Sequence, residues 1–228
     1  MIIATLLYIR RMYMNIDKDY TIGQDGNIHL KNPVPFNYDV TYVEERYDEY
    51  KWQTTAMSYL RLNFIRNFMD IKEASVLDVG YGNGEFLEVC MMNKMYAYGY
   101  DVSGYPLPRG VQKLDRLHSG HYDLITFFDS LEHFEDIEFV GKLDAKNICI
   151  SAPWCHHPGD ANYEWFLNWK HLRPEEHFHH FTRLGLIAFM KRMGYKMLDY
   201  DNVEDHIRGG GKFGLPNILT AFFTREKK

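Results

Sequence analysis

The 228-residue sequence is poor in cysteine, carries little excess charge and has no long apolar run. Its three cysteines (Cys90, Cys149, Cys155) are an odd number without CxxC spacing. That argues against a disulfide scaffold or a zinc knuckle and suits reduced, buried thiols in a cytoplasmic protein. Lys and Arg number 26 against 31 Asp and Glu, a net charge of -5. No basic excess draws a nucleic-acid polyanion. No stretch approaches the ~20 apolar residues of a membrane span. The apolar run at residues 2–9 is followed by a basic pair, the reverse of a signal peptide. It reads as an extension, with Met14 an alternative start.

Aromatic residues and histidine are abundant. The chain has 17 Tyr, 15 Phe and 4 Trp, and six of its 11 His lie between His156 and His180. A disordered chain is poor in aromatics, so the bulk is folded. The length fits one domain with a real core.

Residues 15–50 are polar, tyrosine-rich and punctuated by Gly23, Gly26, Pro33 and Pro35. They read as an irregular arm with one short hairpin. Residues 43–69 read as a helix, with Leu60, Phe64 and Phe68 at spacing four. We therefore divide the chain into an N-terminal arm at 1–41 and a domain at 42–228.

From residue 75, strands alternate with helices. SVLDV, YAYGYD, a short segment near 111–114, YDLITFF and a strand ending at ICIS come first. A helix over 182–193 is closed by Gly194, and strands at 196–200 and 218–224 are joined through Gly209, Gly210 and Gly211. This alternation implies an α/β fold with a doubly wound, mostly parallel sheet.

The strongest motif is VLDVGYGNG, residues 76–84, between a strand and a helix. Glycines there let a ligand approach the backbone. The spacing is G-x-G-x-G, not the dinucleotide G-x-G-x-x-G, and the Gly-Lys-Ser/Thr of a phosphate loop is absent. Asp101 ends the next strand, 17 positions after Gly84. An acidic residue there can accept hydrogen bonds from both hydroxyls of a ribose. The pair points to a nucleoside-bearing ligand.

VLDVGYGNG, YGYDVSG, YDLITFFDSLEHF, ICISAPW and HFHHFT, in that order, resemble the class I methyltransferases that use S-adenosylmethionine. The closest look is to their small-molecule branch, type 11, 12 and 23-like. The resemblance implies a Rossmann-like seven-stranded sheet of order 3-2-1-4-5-7-6 with strand 7 antiparallel. By position it implies that Gly80, Tyr81, Gly82 and Gly84 lie against the cofactor. Asp78 would orient the turn or meet the ammonium, and Asp101 with Val102 would meet the ribose. Asp115 occupies the place that often meets adenine, and Phe128 and Asp129 would line the methionine end. Tyr42 and Tyr47 of the arm would close over the cofactor, or else pack on the sheet with Tyr50. Only 21 positions separate Asp101 from Tyr122, so the helix after strand 2 is expected to be lost. Asp115 could then be an exposed loop residue.

Methyl transfer from a sulfonium needs alignment and a dry site, and for some acceptors a base. Residues 153–182 suit a lid at the carboxyl edge of the sheet. There, Trp154, His156, His157, Trp165, Trp169 and His180 are candidates to wall the acceptor, or else a satellite core. His133 follows strand 4 and is a candidate base. His177 and His179 match the His-x-His-x-Phe-Thr pattern before the last helix. No established metal-ligand spacing links His156, His157, His177 and His179 with Asp160, Glu175 or Glu176, so no metal is expected.

The sequence thus reads as an S-adenosylmethionine-dependent enzyme acting on a small molecule at oxygen or nitrogen, with S-adenosylhomocysteine as product. The rivals are an RNA or DNA methyltransferase, an inactive cofactor-binding module, and a nicotinamide oxidoreductase. An Asn/Asp-Pro-Pro-Tyr/Trp motif and a Pro-Cys nucleophile are absent, which disfavours the first. Oligomeric state is left open.

Overall fold

The computed structural model describes residues 16–34, 36–47, 51–117, 120–156, 164–211 and 214–226. Two short strands, β1 (Tyr20–Ile22) and β2 (Ile28–Leu30), form a hairpin. Helices α1 (Val40–Tyr47) and α2 (Lys51–Arg66) follow. Then come β3 (Ser75–Val79), α3 (Glu85–Met92), β4 (Tyr96–Tyr100), β5 (Gln112–Lys113), β6 (His121–Phe128) and β7 (Asp144–Pro153). The chain continues with α4 (Glu164–Leu167), β8 (His179–His180), α5 (Arg183–Arg192), β9 (Tyr195–Asp201), α6 (Asp205–Arg208) and β10 (Ile218–Arg225).

Seven strands form one sheet in the order β5-β4-β3-β6-β7-β10-β9. β3 pairs in parallel with β4 and β6, β4 with β5, and β6 with β7. β10 runs antiparallel to both β7 and β9. This is the order expected from the motifs, with the last strand reversed. Central β6 and β7 are buried along most of their length, as parallel strands covered on both faces must be.

One apolar cluster includes Phe127, Ile148, Phe189 and Phe223. A second includes Ile65, Leu87, Cys90 and Phe222. Residues 101–111 hold no helix, so the expected loss after strand 2 is found. Of the helix expected over 43–69, the described residues hold α1 and α2, and residues 48–50 lie outside them. Asp39 starts α1 early, because its carboxylate accepts the Tyr42 N–H at 2.9 Å. α2 stops short of 69 because Asn67 and Phe68 bond three residues back and tighten the last turn.

The hairpin is not a separate appendage. β2 pairs antiparallel with β8, which makes a three-stranded sheet from segments far apart in sequence. Tyr20 and Ile28 pack with Phe166, Trp169, Leu172 and Cys155 in a third cluster. Asn27 is fully buried and its amide oxygen accepts the Thr182 N–H at 3.1 Å. Thr182 in turn caps α5 by accepting the Gly185 N–H at 2.9 Å. Cys90, Cys149 and Cys155 are free and buried. No helix among the described residues is long and apolar enough to cross a membrane.

Candidate active site

The sheet positions the site at the carboxyl ends of β3, β4 and β6, where α/β folds hold ligands. After β3 the chain turns through Gly80, Gly82 and Gly84, all at positive φ. Two of these positions exclude a side chain for a second reason. A Cβ on Gly80 would lie 2.5 Å from that of Ser130, and one on Gly82 would lie 2.7 Å from the Tyr47 hydroxyl. Asp101 ties the turn to β4. One carboxylate oxygen accepts the Gly82 N–H at 2.9 Å, and the other accepts the Ser103 N–H at 2.7 Å. The Gly80 N–H donates to the Tyr100 carbonyl at 2.7 Å. Tyr81 is buried behind the turn and donates its hydroxyl to the Tyr105 carbonyl at 2.6 Å.

Asp78 lies beneath, fully enclosed, and accepts the Thr126 hydroxyl at 2.6 Å. Burial pushes its carboxyl up to about 7, although the Thr126 bond works the other way.

Two adjoining cavities open above the turn. One, of about 240 Å³, is walled by Asp78, Phe86, Phe128, Arg173, His177 and Arg208 among others. The other, of about 290 Å³, is walled by Gly82, Asp101, Val102, Ser103, Tyr38 and Phe36 among others. Tyr42, Tyr47, Gly80, Asp129 and His133 border both. α1 therefore contributes tyrosines to the whole length of the cleft.

An ion network forms part of the cleft wall. Asp129 has φ of +51°, which turns it off the end of β6. It pairs with Arg208 and, at 3.1 Å, with Arg61. Buried Glu204 pairs with Arg61 at 2.7 Å and with Arg208 at 2.8 Å. Burial opposes the charge on Asp129, but Arg208 and Arg61 outweigh it and hold the carboxyl at about 2. The Arg61 guanidinium also lies 4.3 Å above the Phe128 ring.

His133 lies deep in the cleft. Its Nδ1 is 2.6 Å from the Tyr38 hydroxyl, and its ring meets that of His177 edge-on at 4.8 Å. His177 Nδ1 donates to the His171 carbonyl at 2.8 Å. Burial lowers the proton affinity of both imidazoles, so both are neutral at pH 7 and can accept a proton.

The other sequence candidates lie elsewhere. His179 is 2.7 Å from His29 and bonds the Phe134 carbonyl at 2.8 Å, on the small sheet and off the cavity walls. Trp154 stacks on His156, and Trp165 stacks on Trp169. His180 is enclosed by Tyr20, Phe166 and Trp169. Trp165, Trp169 and His180 pack with the hairpin, Trp154 packs on the first core beside Tyr200, and none of the five borders either cavity. The satellite-core alternative describes their surroundings. The lid segment reaches the cleft instead through His171, Arg173, Glu176 and His177. Asp115 stands exposed in the loop after β5 and borders neither cavity. His157, Tyr50 and Asp160 lie outside the described residues.

Sequence reasoning missed Arg61, Glu204, Arg208 and Tyr38. A signal existed for Arg61, a cation flanked by Leu60 and Leu62. Glu204 and Arg208 are four apart and read as an ordinary surface pair.

The pattern of a methyltransferase domain matches residues 52–200, well over half of the chain. The chain belongs to the methyltransferase domain family. Among curated protein sequences none matches the methyltransferase significantly. Solved structures do match in fold. The 1,6-didemethyltoxoflavin-N1-methyltransferase of Burkholderia thailandensis, solved with 1,6-didemethyltoxoflavin and S-adenosylhomocysteine, is 13% identical with a TM-score of 0.58. The match covers 92% of this methyltransferase and 100% of that chain. The magnesium protoporphyrin IX methyltransferase of Synechocystis, solved with S-adenosylmethionine, is 10% identical with a TM-score of 0.53, covering 84% and 87%. An S-adenosylmethionine-dependent methyltransferase of Mesorhizobium loti is 14% identical with a TM-score of 0.53, covering 73% and 98%. At these identities the likeness is one of fold, and it includes the Rossmann-like sheet.

Proposed function

We propose that this methyltransferase moves the methyl group of S-adenosylmethionine to an oxygen or nitrogen of a small-molecule acceptor, leaving S-adenosylhomocysteine. The observation that carries the reading is the β3 turn, held open by glycine and clamped to the Asp101 carboxylate at the mouth of a deep cleft. A carboxylate accepts from more than two donors. Asp101 therefore retains lone pairs for ribose hydroxyls after binding Gly82 and Ser103.

When bound, the cofactor supplies a methyl group already activated by a sulfonium charge. The protein's task is then alignment and exclusion of water. Tyr42 and Tyr47 cover the glycine turn from the α1 side. The Arg61 and Arg208 network fixes Asp129 between the two cavities. A small acceptor is supported by the size of the cavities and by the absence of a basic excess. Three buried free thiols support a cytoplasmic setting.

Calorimetry with S-adenosylhomocysteine tests the reading. Wild-type protein should bind at micromolar order, equivalent to about 8 kcal/mol, and Asp101→Ala should bind at least tenfold more weakly. No binding by wild type, or equal binding by the variant, overturns it. Salt-sensitive oligonucleotide binding would favour a nucleic-acid acceptor instead.

A further inference from the structure

Glu132 is 1% exposed, and neither of its carboxylate oxygens has a hydrogen-bond partner among the described residues. The neighbouring charges do not relieve it. Arg61 and Arg208 are committed to Asp129 and Glu204, and Arg173 pairs with Glu176 at 3.2 Å. A buried carboxylate without a partner costs several kcal/mol if charged. The His133 Nε2 lies 4.0 Å from one of its oxygens, beyond hydrogen-bond reach.

The groups that face Glu132 are two imidazoles. One ligand atom from each of Glu132, His133 and His177 lies within 4.8 Å of the others. Both rings are already oriented through their far side. His177 Nδ1 must carry the proton that it donates to the His171 carbonyl, which leaves Nε2 with a lone pair. His133 Nδ1 meets the Tyr38 hydroxyl at 2.6 Å, and a proton on that nitrogen leaves its Nε2 bare as well. Metal-bound histidines are held this way, with the second nitrogen on a carbonyl or a polar side chain.

We propose that Glu132, His133 and His177 bind one divalent first-row metal ion of the zinc, cobalt or manganese kind. Two imidazoles and one carboxylate are a recurrent donor set for such ions and leave coordination positions open. Donors bound at about 2.0–2.2 Å in a tetrahedral site lie roughly 3.4 Å from one another, so the widest separation here must close by roughly 1.5 Å. The ion neutralises the buried carboxylate and uses both lone pairs. Since His133 and His177 both border the cavity walled by Asp78 and Arg208, the open position faces it and takes an oxygen ligand from there. The sequence hides this set because the carboxylate and the second histidine are 45 positions apart and match no known spacing.

The experiment uses the full chain after dialysis against chelator. Zn²⁺, Co²⁺ and Mn²⁺ are titrated separately, and bound metal is measured by mass spectrometry after gel filtration. The expected result is one equivalent retained by wild type, visible absorption with Co²⁺, and a raised Tm. Glu132→Gln, which keeps the shape of the side chain, and His177→Ala should each weaken retention at least tenfold. Tyr38→Phe should weaken it by a smaller factor. S-adenosylhomocysteine binding by the same samples reports folding. Failure of wild type to retain any of the three ions while it binds S-adenosylhomocysteine overturns the site. So does equal retention by Glu132→Gln. Retention of metal without S-adenosylhomocysteine binding would instead sink the methyl-transfer reading and leave the metal site standing.

Discussion

The Tyr47 hydroxyl lies so close over Gly82 that a Cβ added to the glycine would be 2.7 Å from it. Helix α1 therefore rests on the one turn where a ligand must approach the backbone. Gly82→Ala forces either Tyr47 or the turn to move, and it places a non-glycine residue at φ of +56°. The left-handed conformation alone costs about 1–2 kcal/mol. We expect a loss of stability of that order in urea unfolding, and at least a tenfold loss of S-adenosylhomocysteine affinity. Wild-type affinity in a folded variant would show that the contact is irrelevant to binding.

Arg61 and Glu204 are the buried pair of the network, with side chains 12% and 0% exposed, so they are not interchangeable with a surface pair. Removing one partner leaves a charge without compensation, at about 3–5 kcal/mol. Arg61→Met should lower stability by about that much in urea unfolding. Adding Glu204→Gln should recover part of the loss, since the orphaned charge is then gone. A double variant as unstable as the two single losses added together would disprove the coupling.

Acid should destabilise the protein through its histidines. Burial lowers His171 and His179 from 6.5 to about 4, and His180 to about 3. The unfolded chain takes up protons near pH 6.5, while the folded chain resists until nearer pH 4. Stability is complete above about pH 6.5 and falls as pH is lowered through that window. Tm measured from pH 7.5 to 4.5 should decline steadily, and His180→Phe should flatten the decline. A flat wild-type profile would contradict the burial of these rings.

Asn27 links the hairpin to α5 through the Thr182 N–H. Asn27→Ala leaves that donor buried without its partner, at about 1–3 kcal/mol. Thermal unfolding should show a Tm lowered by several degrees. An unchanged Tm would mean that the link is not stabilising.

The sheet was legible because its strands are continuous apolar runs and its turns are marked by glycine. The order of the strands and the reversed β10 were implied by the resemblance that the motifs carry. The glycine turn and Asp101 were legible at strand termini, but the bond between Asp101 and Gly82 was not. Arg61 and Glu204 were not, because their bond joins residues 143 apart and depends on how α2 meets α6. The aromatic segment misled for a related reason. Trp165, Trp169 and His180 look like pocket walls until β2 is known to pair with β8, which gives them a hydrophobic cover of their own. Asp115 fell outside the cleft because the helix that normally precedes it is missing, and the short β5 leaves it in solvent.

The pairing of β2 with β8 has a consequence for how the chain is made. His29 and His179 touch although they are 150 positions apart. The hairpin must wait, unpaired on one edge, until five of the seven strands of the main sheet have been synthesised. Such distant closure is slow and leaves an open strand edge in the meantime. A chain truncated before His179 should therefore leave the edge of β2 exposed and aggregate where the full chain does not. The hairpin, made first, is completed by a segment made 150 positions later.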